Sequence, residues 1–450
     1  MSMPLAEALR LVRDDLATTL EPESLRQLCR DCGHRWRERL LGPVTTIHLF
    51  VLQILHGNTA CAHLPHLAGM AFTDSAYCQA RARLPLAVLR ALLRRLVEAC
   101  RPLTDSVGLW HGHRTWLVDG SGVSMPDTPE LQRAFGQPTN QAAGCGFPVA
   151  RILALFHAGT GLLQRVLTAP LCSHEMSRVA RLHPELQPGD VLVGDRAFGT
   201  FAHLALLARR GLHGVFRMSG RRVVDFTPDR PPPPRWNTPK LTGRSRSRWL
   251  RSLGPTDQVV EWYKPYAPPT WMTAEEYAAL PVTLTVRETR YRVERSGFRV
   301  REITLVSTLL AAEAYPAEEL AGLYLRRWRV ETDLAHLKTT LGMDVLRCET
   351  ESGVLKELAV FAIVYNLVRL VMLEASRRQG VPVERISFVD ALRWLSCAPP
   401  GTPRPVLIVN PYRPGRVEPR CKKRRAKKHP YMIQPRSVLR QRLLDQRVPA

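Results

Sequence analysis

Between Thr115 and Met218 the chain changes texture in an order that few architectures can accommodate. Thr115–Asp119, Val149–His157 and Leu163–Ala169 are apolar, strand-like runs, and Gly159-Thr160-Gly161 supplies a turn between the last two. Ser177–Leu186 has helical spacing, and Asp190–Asp195 is another buried strand. Thr200–Arg210 is a helix stopped by Gly211, and His213–Met218 is a final strand. Three strands in hairpin fashion, then helix, strand, helix and strand, predict an α/β layer, a mixed sheet flanked by helices. Two of these strands end in an acid, Asp119 and Asp195, where open α/β sheets place their ligand crevices. An aspartate after a strand also commonly caps a turn, so neither acid is decisive alone.

A third acid comes from Pro316–Gly342, which the spacing predicts as a single helix. Pro316 suits its first turn, Glu318 and Glu319 favour the positive end of its dipole, and Gly342 stops it. At ~100° per residue, Leu323, Val330, Leu334, Leu337 and Leu341 form one apolar stripe. Tyr324, Arg327, Glu331 and Lys338 form a polar stripe beside it, the arrangement of a helix at the rim of a cleft. Arg326, Arg329, Asp333 and His336 fall on the far side and are expected to be solvated. The plain alternative is an amphipathic helix with an Arg327–Glu331 pair worth ~0.3–0.5 kcal/mol. Asp119, Asp195 and Glu331 brought together would repel one another unless divalent cations lay between them. All-oxygen ligands suit Mg²⁺ or Mn²⁺. Two such ions ~3.5–4 Å apart would activate a water or 3′-OH for attack on a phosphodiester. Arg327 and Lys338 are then expected to clamp phosphate instead of pairing with Glu331.

Charge supports that direction. A formal net charge of +24 and a pI near 10.3 favour a polyanionic partner, nucleic acid first. No membrane contact is expected: the start lacks the layout of a secretory signal, and Tyr365, Asn366 and Arg369 interrupt the apolar run Leu355–Leu373. Ten scattered cysteines point to reduced thiols and a cytoplasmic location. Residues 1–105 have helical texture, with Val44–His56, Thr59–Gly69 and a third helix ending at Arg83. This is compatible with a helix-turn-helix reader presenting Gln79, Arg81 and Arg83 to double-stranded DNA, and equally with a small bundle that has a basic face. Cys29 and Cys32, with His34 beside them, could begin a zinc site completed by Cys61, His63 or His66. No second pair follows at zinc-finger spacing, so buried cysteines within a helix are the better reading.

Tyr324, Arg327, Glu331 and Lys338 reproduce the Y-(2)-R-(3)-E-(6)-K spacing of DDE transposases of bacterial insertion sequences, and the chain resembles the insertion-sequence-4 family. Trp116-Leu-Val-Asp119-Gly-Ser-Gly is similar to that family's first-aspartate segment and Gly194-Asp195-Arg196-Ala-Phe to its second. The resemblance implies a ribonuclease-H-like catalytic core with Asp119, Asp195 and Glu331 as catalytic and metal-holding residues, served by two Mg²⁺ or Mn²⁺ ions. It implies that Tyr324, Arg327 and Lys338, with Arg196 nearby, hold the element-end strand. It further implies a homodimer in a synaptic complex and a nucleoid-associated, bacterial cytoplasmic protein. The activity implied is binding of terminal inverted repeats, metal-dependent cleavage and strand transfer. A DNA-binding regulator that does not cut and a nuclease without strand transfer are the alternatives.

Residues 221–301 are predicted as a β-rich insertion, with strands over Val282–Arg287, Arg290–Arg295 and Arg299–Thr308. The resemblance also makes Trp262 or Trp271 a candidate platform for a flipped base at ~1–3 kcal/mol per stack, although a place in the core is the better reading for either one alone. The proposed layout is therefore a helical DNA-binding part (1–105), a first core part (106–220), the insertion (221–301), a second core part (302–380) and a proline-rich, basic end (381–450). In that end Lys422, Lys423, Arg424, Arg425, Lys427 and Lys428 form a run suited to tracking phosphates without sequence choice.

Overall fold

The computed structural model describes residues 19–173, 176–220, 222–232, 247–292, 302–397, 406–411 and 432–445. The basic run at 420–429 and Trp236 lie outside the described residues.

The described residues begin in helices: α1 (Pro22–Asp31), α2 (Pro43–Leu55), α3 (Leu64–Ala68), α4 (Asp74–Arg83), α5 (Leu86–Ala99) and α6 (Arg101–Ser106). The expected boundaries hold closely because the sequence caps them. Thr73 accepts from the Ala76 N–H at the start of α4, and Pro85 bars its continuation. Cys29 is buried in α1 and Cys32 ends it.

Next come β1 (Thr115–Ser124), α7 (Pro129–Phe135), β2 (Val149–His157), β3 (Leu163–Pro170), α8 (Met176–Val179), β4 (Val191–Gly194), α9 (Phe201–Ala208) and β5 (His213–Arg217). β1–β2–β3 form an antiparallel meander, and β4 and β5 run parallel to β1 on its other side. This is the mixed sheet that the order of elements predicts. One detail differs: β1 does not end at Asp119 but runs on through Gly120-Ser121-Gly122, paired to β2 as far as Ser124. The glycines leave the ladder intact because β2 supplies partners along the whole length.

The region after β5 does not stand apart as a separate sheet. It contains β6 (Ser247–Gly254), β7 (Asp257–Tyr263), α10 (Ala274–Ala278), β8 (Thr283–Arg292) and β9 (Glu302–Ser307). β9 pairs antiparallel with β5, giving one nine-stranded sheet in the order β3-β2-β1-β4-β5-β9-β8-β7-β6. The two expected strands at 282–287 and 290–295 are, over their described residues, a single strand, β8. The hairpin β6–β7 was not expected, because its arginine-rich first strand lacks an apolar alternation.

Helices α11 (Ala317–Arg326) and α12 (Trp328–Ala335) follow, then a π turn at His336–Thr340. The expected single helix is thus interrupted at Arg327, where two i→i+3 bonds replace the regular ladder (Arg327 N–H to Tyr324 C=O, Val330 N–H to Arg327 C=O). Its apolar stripe is buried as the spacing requires. The far side is not solvated as expected. Asp333 is buried against Arg369 at 3.6 Å, and His336 stacks on Phe388 with ring centroids 4.1 Å apart. A second layer of helices explains this: α13 (Glu351–Gln379) and α14 (Phe388–Cys397) cover that side. A last helix, α15, spans Arg436–Asp445.

α13 is the core helix. By length and composition it passes for a membrane span, but 83% of its most apolar window is buried within the protein. It packs on α2, α5, α14 and β3, so the helical start and the sheet share one apolar cluster running from Leu20 to Leu407. Leu117, Val191, Val193 and Val215 face that cluster, whereas Trp116, Val118, Leu192 and Phe216 face a second layer under α9.

Candidate active site

The sheet's alternation fixes where the two aspartates point. Leu117 and Val193 face the α11–α13 side, and residues two apart on a strand share a face, so Asp119 and Asp195 project to that side too. The parallel register pairs Val118 with Gly194, which sets Asp119 and Asp195 next to each other at neighbouring strands. Gly194 itself has no room for a side chain: a Cβ there would meet Phe198 at 2.8 Å and Val118 at 3.0 Å.

The helix carrying Glu331 lies over these acids, with Arg327 at the centre. Its guanidinium lies 3.7 Å from Asp119 Oδ2 and donates to Glu331 Oε1 at 3.1 Å. The Arg327 side chain is 8% exposed, that of Asp119 23% and that of Glu331 49%. Tyr324 is buried beside them, and its hydroxyl points to Asp195 Oδ1 at 3.5 Å. Lys338 donates to Ser121 Oγ at 2.9 Å, tying the far end of the helix to β1. The four signature residues therefore share one side of the helix, from which Tyr324 reaches Asp195, Arg327 reaches Asp119 and Glu331, and Lys338 reaches β1. Arg196 is exposed in the turn after Asp195.

The electrostatics follow from this crowding. Burial lowers the Arg327 pKa, but Tyr324, Asp195, Asp119 and Glu331 together outweigh it, and the net direction is upward. Burial pushes the Tyr324 phenol up to about 12, opposed by Arg327 and reinforced by Asp195. The phenol is a hydrogen-bond donor at neutral pH, not a base. Arg327 was expected to clamp phosphate in place of pairing with Glu331. In the structure it pairs with Glu331, because with three carboxylates around it the guanidinium is the nearest compensating charge. Its Nε is buried without an acceptor.

Asp119 and Asp195 are adjacent, oxygen-only and on one face, which fits a hard cation. Among the described residues no three His, Cys, Asp or Glu side chains sit close enough to hold an ion together. Glu331 is turned to Arg327 and would have to leave it to join the pair. Its half-exposed side chain leaves it space to move.

Three residues near the site were not found in the sequence. Ser121 receives Lys338, and Arg217 and Tyr291 lie close enough to Tyr324 to shift its titration or be shifted by it. Arg217 ends β5 on the same face as Val215, a signal that the strand order contained. Tyr291 comes from β8, whose place in the sheet the sequence did not show.

The other expected DNA contacts divide. Gln79 and Arg83 are exposed on α4. Arg81 is not: it lies over Phe50 at 4.2 Å and donates to Gln53 Oε1 at 3.0 Å and to Cys348 Sγ at 2.6 Å. Its neighbour loop at 348, remote in sequence, captures it. Arg83 instead borders a groove of about 630 Å³ with Arg35, Arg37 and Arg39. Trp262 is unavailable for base stacking, being buried under Arg222 with its indole N–H on Glu288 Oε1 at 2.8 Å. Trp271 is half-buried.

With the geometry in place, comparison with known proteins decides the family. The family model of the transposase DDE domain matches residues 110–367, more than half of the chain, from just before β1 into α13. The chain belongs to the DDE transposase family. It is 25% identical over 322 residues to the transposase InsG for insertion sequence element IS4 of Escherichia coli strain K12, covering 68% of this chain. It is 29% identical over 141 residues to the putative transposase InsZ of the same organism, covering 30% of this chain. The matched regions span 65% and 46% of those relatives' own lengths. The solved piggyBac transposase synaptic complex with hairpin DNA matches with a TM-score of 0.42 and 10% identity, covering 88% of this chain and 80% of that one.

Proposed function

We propose that this DDE transposase binds the ends of an insertion sequence, cleaves them in a metal-dependent reaction and joins the freed 3′-OH to target DNA. The observation that carries the proposal is the convergence of Asp119, Asp195 and Glu331 around Arg327 on one face of the sheet. Asp119 and Asp195 would hold Mg²⁺ or Mn²⁺, with Glu331 joining them, in a site for two ions. A bound ion of this kind supplies Lewis-acid activation of the attacking oxygen and stabilisation of the leaving one.

The chain's own residues have distinct parts. Arg327 neutralises the acids while the cleft is empty. When a phosphate enters, its fork can turn from Glu331 to the phosphate oxygens, freeing Glu331 for the cation. Tyr324 holds Asp195 from beneath, and Lys338, anchored on Ser121, adds a positive charge at the rim. Arg196, Gln79 and Arg83 are assigned to the DNA backbone and base edges, and the run Lys422–Lys428 to phosphates. Two copies holding two ends, and association with the nucleoid, belong to the same reading.

The test is incubation of the purified protein with its own element's end DNA in Mg²⁺, Mn²⁺ or EDTA. Metal-dependent nicking at the element boundary is expected, with Asp119→Ala reducing it by more than the ~10–100-fold that loss of an outer-shell group costs. Tight binding without a cut under either metal would favour a non-cutting regulator and remove the proposal.

A further inference from the structure

A groove of about 750 Å³ runs along β3, the outermost strand on its side of the sheet, bounded by α5, α13 and the 180–185 turn. Arg90, Arg94 and Arg95 stand on one bank and Arg165 and Arg181 on the other. Arg95 pairs with Asp31 at 2.8 Å and Arg165 with Glu185 at 2.9 Å. Glu98, also in the groove, is taken by Arg101 at 3.2 Å. Arg90, Arg94 and Arg181 are exposed, and among the described residues no carboxylate pairs with them. Arg90 and Arg94 lie one turn apart on the outer face of α5, whose inner face buries Leu89, Leu92 and Leu96. Like charges at i,i+4 weaken a helix. Uncompensated guanidinium groups on both banks are a pattern that folding does not favour and an anionic occupant would relieve.

The groove is separate from the catalytic cleft yet level with it. Asp119 pairs across the sheet with Ala154, and Ala154 with Val166, which lines the groove. Two strand spacings place the groove ~10 Å to the side of the catalytic acid. α13 packs against the 336–340 turn on one side and lines the groove on the other. A strand lying in the cleft therefore does not also occupy the groove.

We propose that this groove is a second DNA surface, which takes the phosphate backbone of a duplex segment other than the one presented to Asp119 and Asp195. The choice of DNA among polyanions rests on the function proposed above and on the net charge of +24. Arginine forks match phosphate oxygens two at a time. Contacts of this kind position a duplex without reading its sequence.

The experiment uses the full chain and a labelled duplex of unrelated sequence, in EDTA, with affinity measured across a salt series. Each lost phosphate contact flattens the slope of log K against log salt by about 0.9, so Arg90→Gln, Arg94→Gln and Arg181→Gln combined should flatten it by about 2.7. An unchanged slope overturns the proposal. Phenylglyoxal labelling of the wild-type protein gives a readout that does not depend on the variant folding. Duplex should protect Arg90, Arg94 and Arg181. Equal labelling with and without duplex, or protection by polyglutamate alone as a stand-in for an acidic protein partner, overturns the assignment to DNA. The two readings fail separately. A wild-type protein that binds with the steep slope but never nicks in Mg²⁺ sinks the catalytic proposal and leaves the groove. Nicking together with an unchanged slope in the variant sinks the groove alone.

Discussion

The two sides of the helix at 317–340 each hold a carboxylate against an arginine and put the pair to different use. On the front, Arg327 pairs with Glu331, a carboxylate that stays 49% exposed. On the back, Arg369 pairs with Asp333, which is 8% exposed and enclosed by α13 and α14. Arg369 also donates to the Thr160 C=O at 2.7 Å, so the back pair ties the helix to the β2–β3 turn. A carboxylate that can leave its arginine is available for chemistry. One that cannot is part of the frame that aims the first. What distinguishes them is whether a second layer of helices covers them, which the helix's own sequence does not encode.

The largest effect is expected on the back. Asp333→Ala leaves Arg369 buried without its carboxylate, a loss of about 3–5 kcal/mol, measurable by chemical denaturation. The same site has a pH signature. Burial pushes the Asp333 carboxyl above its ordinary value, with Arg369 opposing. A folded-state pKa above the unfolded one means that the contribution is complete below the ordinary carboxylate range and is lost as pH rises. The melting temperature of wild type minus that of Asp333→Asn should therefore fall between acid and neutral pH. A difference that rises instead would show that the ion pair outweighs burial.

On the front, effects should appear in activity more than in stability. Arg327→Lys keeps the charge but loses the fork that reaches Asp119 and Glu331 together. Nicking should drop ~10–100-fold with a melting temperature close to wild type, on the scale of lost outer-shell groups at metal sites. A large fall in melting temperature would make Arg327 a frame residue like Arg369. Ser121→Ala should give the smallest change, about 0.5–1.5 kcal/mol, because Lys338 loses one acceptor at a site that water can reach. Single-turnover nicking would resolve it.

Much of this was legible in the chain. The order of strands and helices from Thr115 to Met218 determined the mixed sheet, and Asp119 and Asp195 stood out as acids closing apolar strand runs. The spacing of Tyr324, Arg327, Glu331 and Lys338 predicted their shared side, and the apolar stripe from Leu323 to Leu341 is buried as expected. What was not legible depends on contacts remote in sequence. Arg81 is turned inward by Gln53 and Cys348. Asp333 and His336 are covered by residues of α13 and α14. β6 offered no alternation to read, and Trp262 is held in the core by Glu288 from β8. Local periodicity gives the side of an element. Only the packed chain shows which sides remain open.

The most direct test of the central claim is Glu331→Gln, assayed for nicking of element-end DNA in Mg²⁺ and for end binding by mobility shift. The amide keeps the shape of the side chain and still accepts from Arg327, but it is a poor ligand for a hard cation. The account predicts that nicking disappears while end binding and the melting temperature stay near wild type. Nicking that persists, or binding lost in step with it, would contradict the assignment of Glu331 as the third acid of the site.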